Sequence, residues 1–170
     1  MKKPFFIIGM PLAGKSYLVN KLRDQLNIQA ADTDHLILEY YNKTRQNLNS
    51  VSEIYEQLGI KEFRKLERIV LKNLNKDIKL ISCGGGLPCY YNNIEFICNQ
   101  GTVIYLSKSV EELLKKNKQY KHPVYKSLSK EGFHSLLSRR AYFYNKAHHT
   151  FNYSGAFNFL YKQFLICEEI

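Results

Sequence analysis

The sequence predicts an α/β protein, a parallel sheet covered by helices on both faces. Two observations carry this. Short apolar runs alternate along the chain with segments of helical periodicity, and the runs end in glycine or polar residues. Short unbroken apolar runs suit fully buried strands, and strand–helix alternation joins parallel neighbours through right-handed crossovers. The 170 residues fit one domain, 1–170, since two independent ones would each fall below the usual size.

The elements follow in order. Residues 4–8 (Pro-Phe-Phe-Ile-Ile) read as a buried first strand ending at Gly9, and 15–26 put Leu18, Val19, Leu22 and Leu26 on one helical face. Residues 28–31 form a weak second strand. Residues 34–42 and 50–76 read as helices, the second broken at Gly59, with Leu66, Ile69, Val70 and Leu74 continuing its apolar stripe. A third strand over 78–82 runs into Gly84-Gly85-Gly86, a helix follows over 90–99, and Thr102–Leu106 is a fourth strand. Residues 109–117 and 130–147 are helical. The C-terminus is read as a fifth strand over 149–152 and a last helix over 155–168.

Composition narrows the function. The chain is 45% hydrophobic and 14% aromatic, enough for a core, which excludes disorder. No apolar run approaches a membrane span, and Phe5–Ile8 lacks a cleavage site for a secretion signal, so a cytoplasmic location is expected. The net charge of +10 implies anionic partners, and residues 108–146 hold ten basic residues against three acidic ones. A lysine-rich solvated surface is the plain alternative. Cys83, Cys89, Cys98 and Cys167 form no C-x-x-C pair, and His148-His149 has no cysteine at zinc spacing, so free thiols are expected.

Gly9-Met10-Pro11-Leu12-Ala13-Gly14-Lys15-Ser16 matches G-x-x-x-x-G-K-[ST] in full, between a strand and an amphipathic helix. Backbone N–H groups of such a loop point at phosphate oxygens, and its glycines let the backbone turn and approach without a Cβ clash. Lys15 supplies positive charge to β- and γ-phosphates, and the Ser16 hydroxyl suits Mg²⁺. A nucleoside triphosphate is therefore expected against Leu12, Ala13, Gly14, Lys15, Ser16 and Tyr17, while the motif leaves the fate of the γ-phosphate open.

The acceptor is less plainly written. Asp32-Thr33-Asp34 falls at the carboxyl end of the second strand, where ligands bind in parallel sheets, although Asp is also a common helix cap. Arg64 and Arg140 lie on helices, where solvated faces are the ordinary explanation. Gly84-Gly85-Gly86 implies either a tight turn or backbone approaching a ligand. Together, a carboxylate, two arginines and bare glycine backbone suit a small hydroxylated carboxylic acid.

The ordered set of motifs resembles the shikimate kinase family over nearly the whole chain. It comprises the phosphate loop, Asp32-Thr33-Asp34, Ser52-Glu53-Ile54-Tyr55 with Gly59, Glu62-Phe63-Arg64-Lys65-Leu66-Glu67, the triple glycine, Gly101–Leu106, and Arg140 with Tyr144. The resemblance implies a three-layer α/β/α fold of the P-loop kinase type, with five parallel strands and a lid over about 108–130. It implies phosphorylation of the shikimate 3-hydroxyl by MgATP, on the path to chorismate and aromatic amino acids. Lys15 and Asp34 would be catalytic. Asp34, Arg64, Gly85, Gly86 and Arg140 would bind substrate, and Ser16 and Asp32 would serve Mg²⁺. A monomer acting on ATP and shikimate, with no nucleic-acid or membrane partner, is expected.

The chain departs from the family's pattern in the lid, at Lys116 and at Leu12. The lid usually carries Arg-Pro-Leu-Leu, whereas this chain reads Lys121-His122-Pro123-Val124-Tyr125, so His122 stands for the ATP-contacting Arg. Lys116 stands roughly where an Arg flanks the adenine, and Leu12 replaces a common Gly. Histidine is mostly neutral at pH 7 and cannot fork two oxygens. The alternatives are a gluconate-type or nucleoside kinase, a catalytically silent relative, and, on charge alone, a nucleic-acid binder.

Overall fold

The computed structural model of the chain describes residues 3–45, 47–120, 125 and 128–166. Five strands, β1 (Phe5–Ile8), β2 (Ala30–Asp32), β3 (Leu80–Ser82), β4 (Thr102–Leu106) and β5 (His149–Phe151), form one parallel sheet in the order β2-β3-β1-β4-β5. The seven helices among the described residues are α1 (Lys15–Leu26), α2 (Thr33–Thr44), α3 (Val51–Lys72), α4 (Asn93–Gln100), α5 (Val110–Tyr120), α6 (Lys130–Tyr144) and α7 (Tyr153–Leu165). None is long and apolar enough to cross a membrane.

Side-chain alternation along the strands builds the three layers. Phe6 and Ile8 of β1 join Ile81, Val103, Ile94, Leu113 and Phe133 on one face. Ile7 joins Leu80, Ile104, Leu18, Leu22 and Leu160 on the other, beneath α1 and α7. Each fully buried Ile or Leu contributes about 1.5–3 kcal/mol of transfer free energy. A third cluster, Ile37, Tyr41, Ile54 and Phe63, packs α2 against α3 beyond the sheet.

Several boundaries shift from the sequence reading. The second strand lies over 30–32, so Asp32 is both its last residue and the N-cap of α2, where its Oδ1 accepts from the Asp34 amide at 2.9 Å. Helix α3 is interrupted at Gly59 (φ 70°, ψ 169°), as its glycine implied, and stops at Lys72. Helix α4 begins only at Asn93, because Tyr91 and Asn92 hold left-handed backbone conformations and a 3₁₀ turn occupies Leu87–Cys89. Helix α6 ends at Tyr144, three residues short of the expected 147.

The parallel arrangement sets every strand's carboxyl end on one sheet edge. The 9–14 loop after central β1, Asp32 after β2 and the triple glycine after β3 therefore meet there.

Candidate active site

The loop from Gly9 to Gly14 is built on three left-handed residues. Gly9 (φ 142°) lies so close to β4 that a β-carbon would come 2.6 Å from the Leu106 carbonyl oxygen. Gly14 (φ 102°) caps α1, whose first turn has no side-chain cap and so keeps its N–H groups for an anion. Leu12 adopts φ 66° despite its side chain. The Lys15 ammonium is buried and donates to the Met10 carbonyl oxygen at 2.9 Å. Burial lowers its pKa, against the pull of the Asp34 and Asp32 carboxylates.

Ser16 follows on the first turn of α1. Its hydroxyl donates to Asp32 Oδ2 at 2.6 Å and lies 3.3 Å from the Ser82 hydroxyl. The Ser16 hydroxyl of α1 thus lies between an oxygen from β2 and one from β3. No cluster of three or more His, Cys, Asp or Glu side chains suited to a metal occurs among the described residues. One carboxylate and a hydroxyl is the sparse, hard-oxygen set that suits Mg²⁺ shared with phosphates.

Asp34 projects from the first turn of α2 toward Gly84, whose missing β-carbon would lie 2.6 Å from Asp34 Oδ1. Thr33, fully buried, accepts from the Gly84 amide at 2.8 Å and ties the two loops together. Burial pushes the Asp34 carboxyl up to about 6, with Asp32 adding to the rise and Lys15 and Arg64 opposing it.

Arg64 reaches the same space from α3. Its Nη1 donates to both Glu67 oxygens at 2.6 Å, and the Tyr90 ring covers its face at 4.6 Å. Burial works against the Arg64 charge, but Glu67 outweighs it and holds the guanidinium above its ordinary pKa. Burial likewise raises the Glu67 carboxyl, against the opposing Arg64 charge. Arg64 Nε is buried and has no partner among the described residues. With Nη1 spent on Glu67 and Nε unpaired, the guanidinium keeps hydrogen-bonding capacity of the side-on kind that suits a carboxylate.

Arg140, from α6, donates through Nη2 to the Tyr125 hydroxyl at 3.2 Å and meets the Met10 sulfur at 3.9 Å. Four residues on, the buried Tyr144 donates its hydroxyl to the Gly85 carbonyl oxygen at 2.6 Å, fixing that peptide.

One cleft of about 1050 Å³ gathers these groups. Of the residues singled out from sequence, Leu12, Gly14, Lys15, Ser16, Tyr17, Asp32, Asp34, Arg64, Gly85, Gly86 and Arg140 line it, together with Lys116. Ala13 does not: its methyl is buried in the core and its amide donates to the Met10 oxygen. His122 lies outside the described residues. Glu67, Tyr90 and Tyr125 line the cleft without having been singled out as site residues. Only Glu67 had a signal, its i,i+3 spacing from Arg64.

The family model described as SKI: Shikimate kinase matches residues 11–165. A shikimate kinase of Parabacteroides distasonis is 36% identical over 157 residues, covering 88% of this chain and 87% of the relative. One of Clostridium botulinum (strain Okra) is 38% identical over 146 residues, covering 84% and 82%. The solved shikimate kinase of Acinetobacter baumannii in complex with shikimate superposes with a TM-score of 0.78 at 27% identity, covering 89% of this chain and 84% of that one. The fold, the phosphate loop and these matches agree: the chain belongs to the shikimate kinase family.

Proposed function

We propose that this chain transfers the γ-phosphoryl group of MgATP to the 3-hydroxyl of shikimate, giving shikimate 3-phosphate and ADP on the path to chorismate and aromatic amino acids. One observation carries the reading. A single cleft joins an uncapped helix N-terminus with a buried lysine, a carboxylate poised near pH 6 and the guanidinium groups of Arg64 and Arg140.

The residues divide the work. The amides of Leu12 and Gly14–Tyr17 and the Lys15 ammonium hold the ATP phosphates, Lys15 leaving the Met10 carbonyl to do so. Arg64, through its unspent fork, and Arg140 clamp the substrate carboxylate. Gly85 and Gly86 let the ring approach the backbone. Asp34 orients the ring hydroxyls and accepts the 3-hydroxyl proton. Phosphoryl transfer depends on alignment and charge neutralisation more than on base strength, so a carboxylate of pKa about 6 suffices. Ser16 and Asp32 would hold Mg²⁺, directly or through water, and its contribution when bound would be to neutralise charge on the β- and γ-phosphates.

The same reading treats 1–170 as one kinase domain with a lid over about 108–130, acting as a cytoplasmic monomer on small molecules and on neither nucleic acid nor a membrane. A coupled ADP-release assay with shikimate, gluconate and a nucleoside in parallel tests the reading. Turnover with shikimate alone is expected, and turnover with gluconate or the nucleoside instead would reject it.

A further inference from the structure

Arg140 is held at both of its terminal nitrogens. Nη1 meets the Met10 sulfur at 3.9 Å, and Nη2 donates to the Tyr125 hydroxyl at 3.2 Å. The tyrosine is itself fixed. It is only 8% exposed, its carbonyl accepts from Asn117 Nδ2 of α5 at 2.8 Å, and its ring packs on Phe133 with centroids 6.0 Å apart. The Arg140 guanidinium carbon sits 6.0 Å from the Tyr125 ring centre. An immobile hydroxyl on one nitrogen fixes the rotation of a planar donor, and so fixes the direction in which its remaining N–H groups point.

We propose that Tyr125 is a positioning residue for substrate: its hydroxyl sets the Arg140 guanidinium for the substrate carboxylate and raises the enzyme's selectivity for a carboxylate-bearing acceptor. The inference rests on the assignment of shikimate as acceptor. The position is also one where the chain departs from its family's pattern. In the Arg-Pro-Leu-Leu register, Pro123 keeps the proline and Tyr125 takes the place of the second leucine, which has no oxygen to offer an arginine. The oxygen that grips Arg140 thus sits where the Arg-Pro-Leu-Leu pattern places a leucine. The grip links α5 and α6, through Asn117, Tyr125 and Arg140, to the phosphate loop at Met10.

The test compares wild type with Tyr125→Phe, which keeps the ring against Phe133, and Tyr125→Leu, which restores the family residue. KM for shikimate and for ATP are measured separately, with shikimate methyl ester as a competing ligand that lacks the carboxylate charge. Thermal melts establish that both variants are folded. In Tyr125→Phe the KM for shikimate is expected to rise about tenfold, the scale of one hydrogen bond to a charged group. The KM for ATP moves less, and the preference for shikimate over its ester shrinks by the same factor. An unchanged ester preference, or equal shifts in both KM values, overturns the inference while leaving the acceptor assignment intact. Wild type that releases no ADP with shikimate overturns the acceptor assignment, and this inference with it.

Discussion

The guanidinium of Arg64 lies against Gly86 so closely that a β-carbon there would come 2.5 Å from Nη2 and 2.8 Å from Cζ. An arginine on a free surface would swing aside. This one has Nη1 pinned by Glu67 and its face covered by Tyr90, so it cannot yield without losing those contacts.

Gly86→Ala is therefore expected to leave the fold intact, since Gly86 has an ordinary right-handed backbone, and to displace the Arg64 fork. The loss in kcat/KM for shikimate should be tenfold or more, with a smaller change in KM for ATP. Steady-state kinetics with each substrate varied in turn checks this, and wild-type kinetics would contradict it.

Glu67 is buried and, among the described residues, is the carboxylate that neutralises Arg64 at hydrogen-bond distance. Glu67→Ala strands a buried guanidinium, which should cost about 3–5 kcal/mol of stability. Glu67→Gln keeps the shape and one acceptor, so it should cost less while still raising the KM for shikimate. Denaturant unfolding of the two variants separates the effects.

Asp34 carries a pH signature of opposite sign in stability and in activity. Its carboxyl titrates at about 6 in the folded protein and near 3.9 in an unfolded chain. The folded state therefore binds this proton more tightly, and stability falls as pH rises from about 3.9 to about 6 and stays lowered above that, by something on the order of 2–3 kcal/mol. Asp34→Asn, which cannot ionise, should melt higher than wild type at pH 8, with the gap closing by about pH 4. With Asp34 as the proposed proton acceptor, activity would need the ionised form, so wild-type kcat/KM for shikimate should fall as pH drops through about 6. A variant that melts lower at pH 8 would contradict the burial cost assigned to Asp34.

His122 stands where the family pattern places an ATP-contacting arginine. His122→Arg should raise kcat/KM for ATP several-fold, because a guanidinium is charged at every working pH and can fork two phosphate oxygens. No gain would show that another cation already fills that role.

Local pattern was enough for much of this architecture. The apolar run of β1, the loop and α1 appear in the sequence with nearly their final bounds, and β4 with its own, because buried strands and amphipathic helices write their period directly. The start of α4 was not legible. Two left-handed residues, Tyr91 and Asn92, delay it, and nothing in a tyrosine announces positive φ. In the site, Lys15, Ser16, Asp32 and Asp34 could be placed because each follows a strand end. The Glu67 anchor was only half visible, as a helical charge pair that could equally have been solvated. The Tyr125–Arg140 bond joins residues 15 apart in sequence, a contact no local pattern encodes.

The cleft is expected to phosphorylate the 3-hydroxyl of shikimate with Lys15 on the phosphates. Phosphorus NMR of the product formed from MgATP and shikimate, by wild type and by Lys15→Ala, tests it most directly. The expected result is shikimate 3-phosphate from wild type, and a rate at least about 100-fold lower from the variant, on the scale of one strong electrostatic contact in a transition state. A phosphate at another hydroxyl, or near-normal product formation by Lys15→Ala, would contradict it.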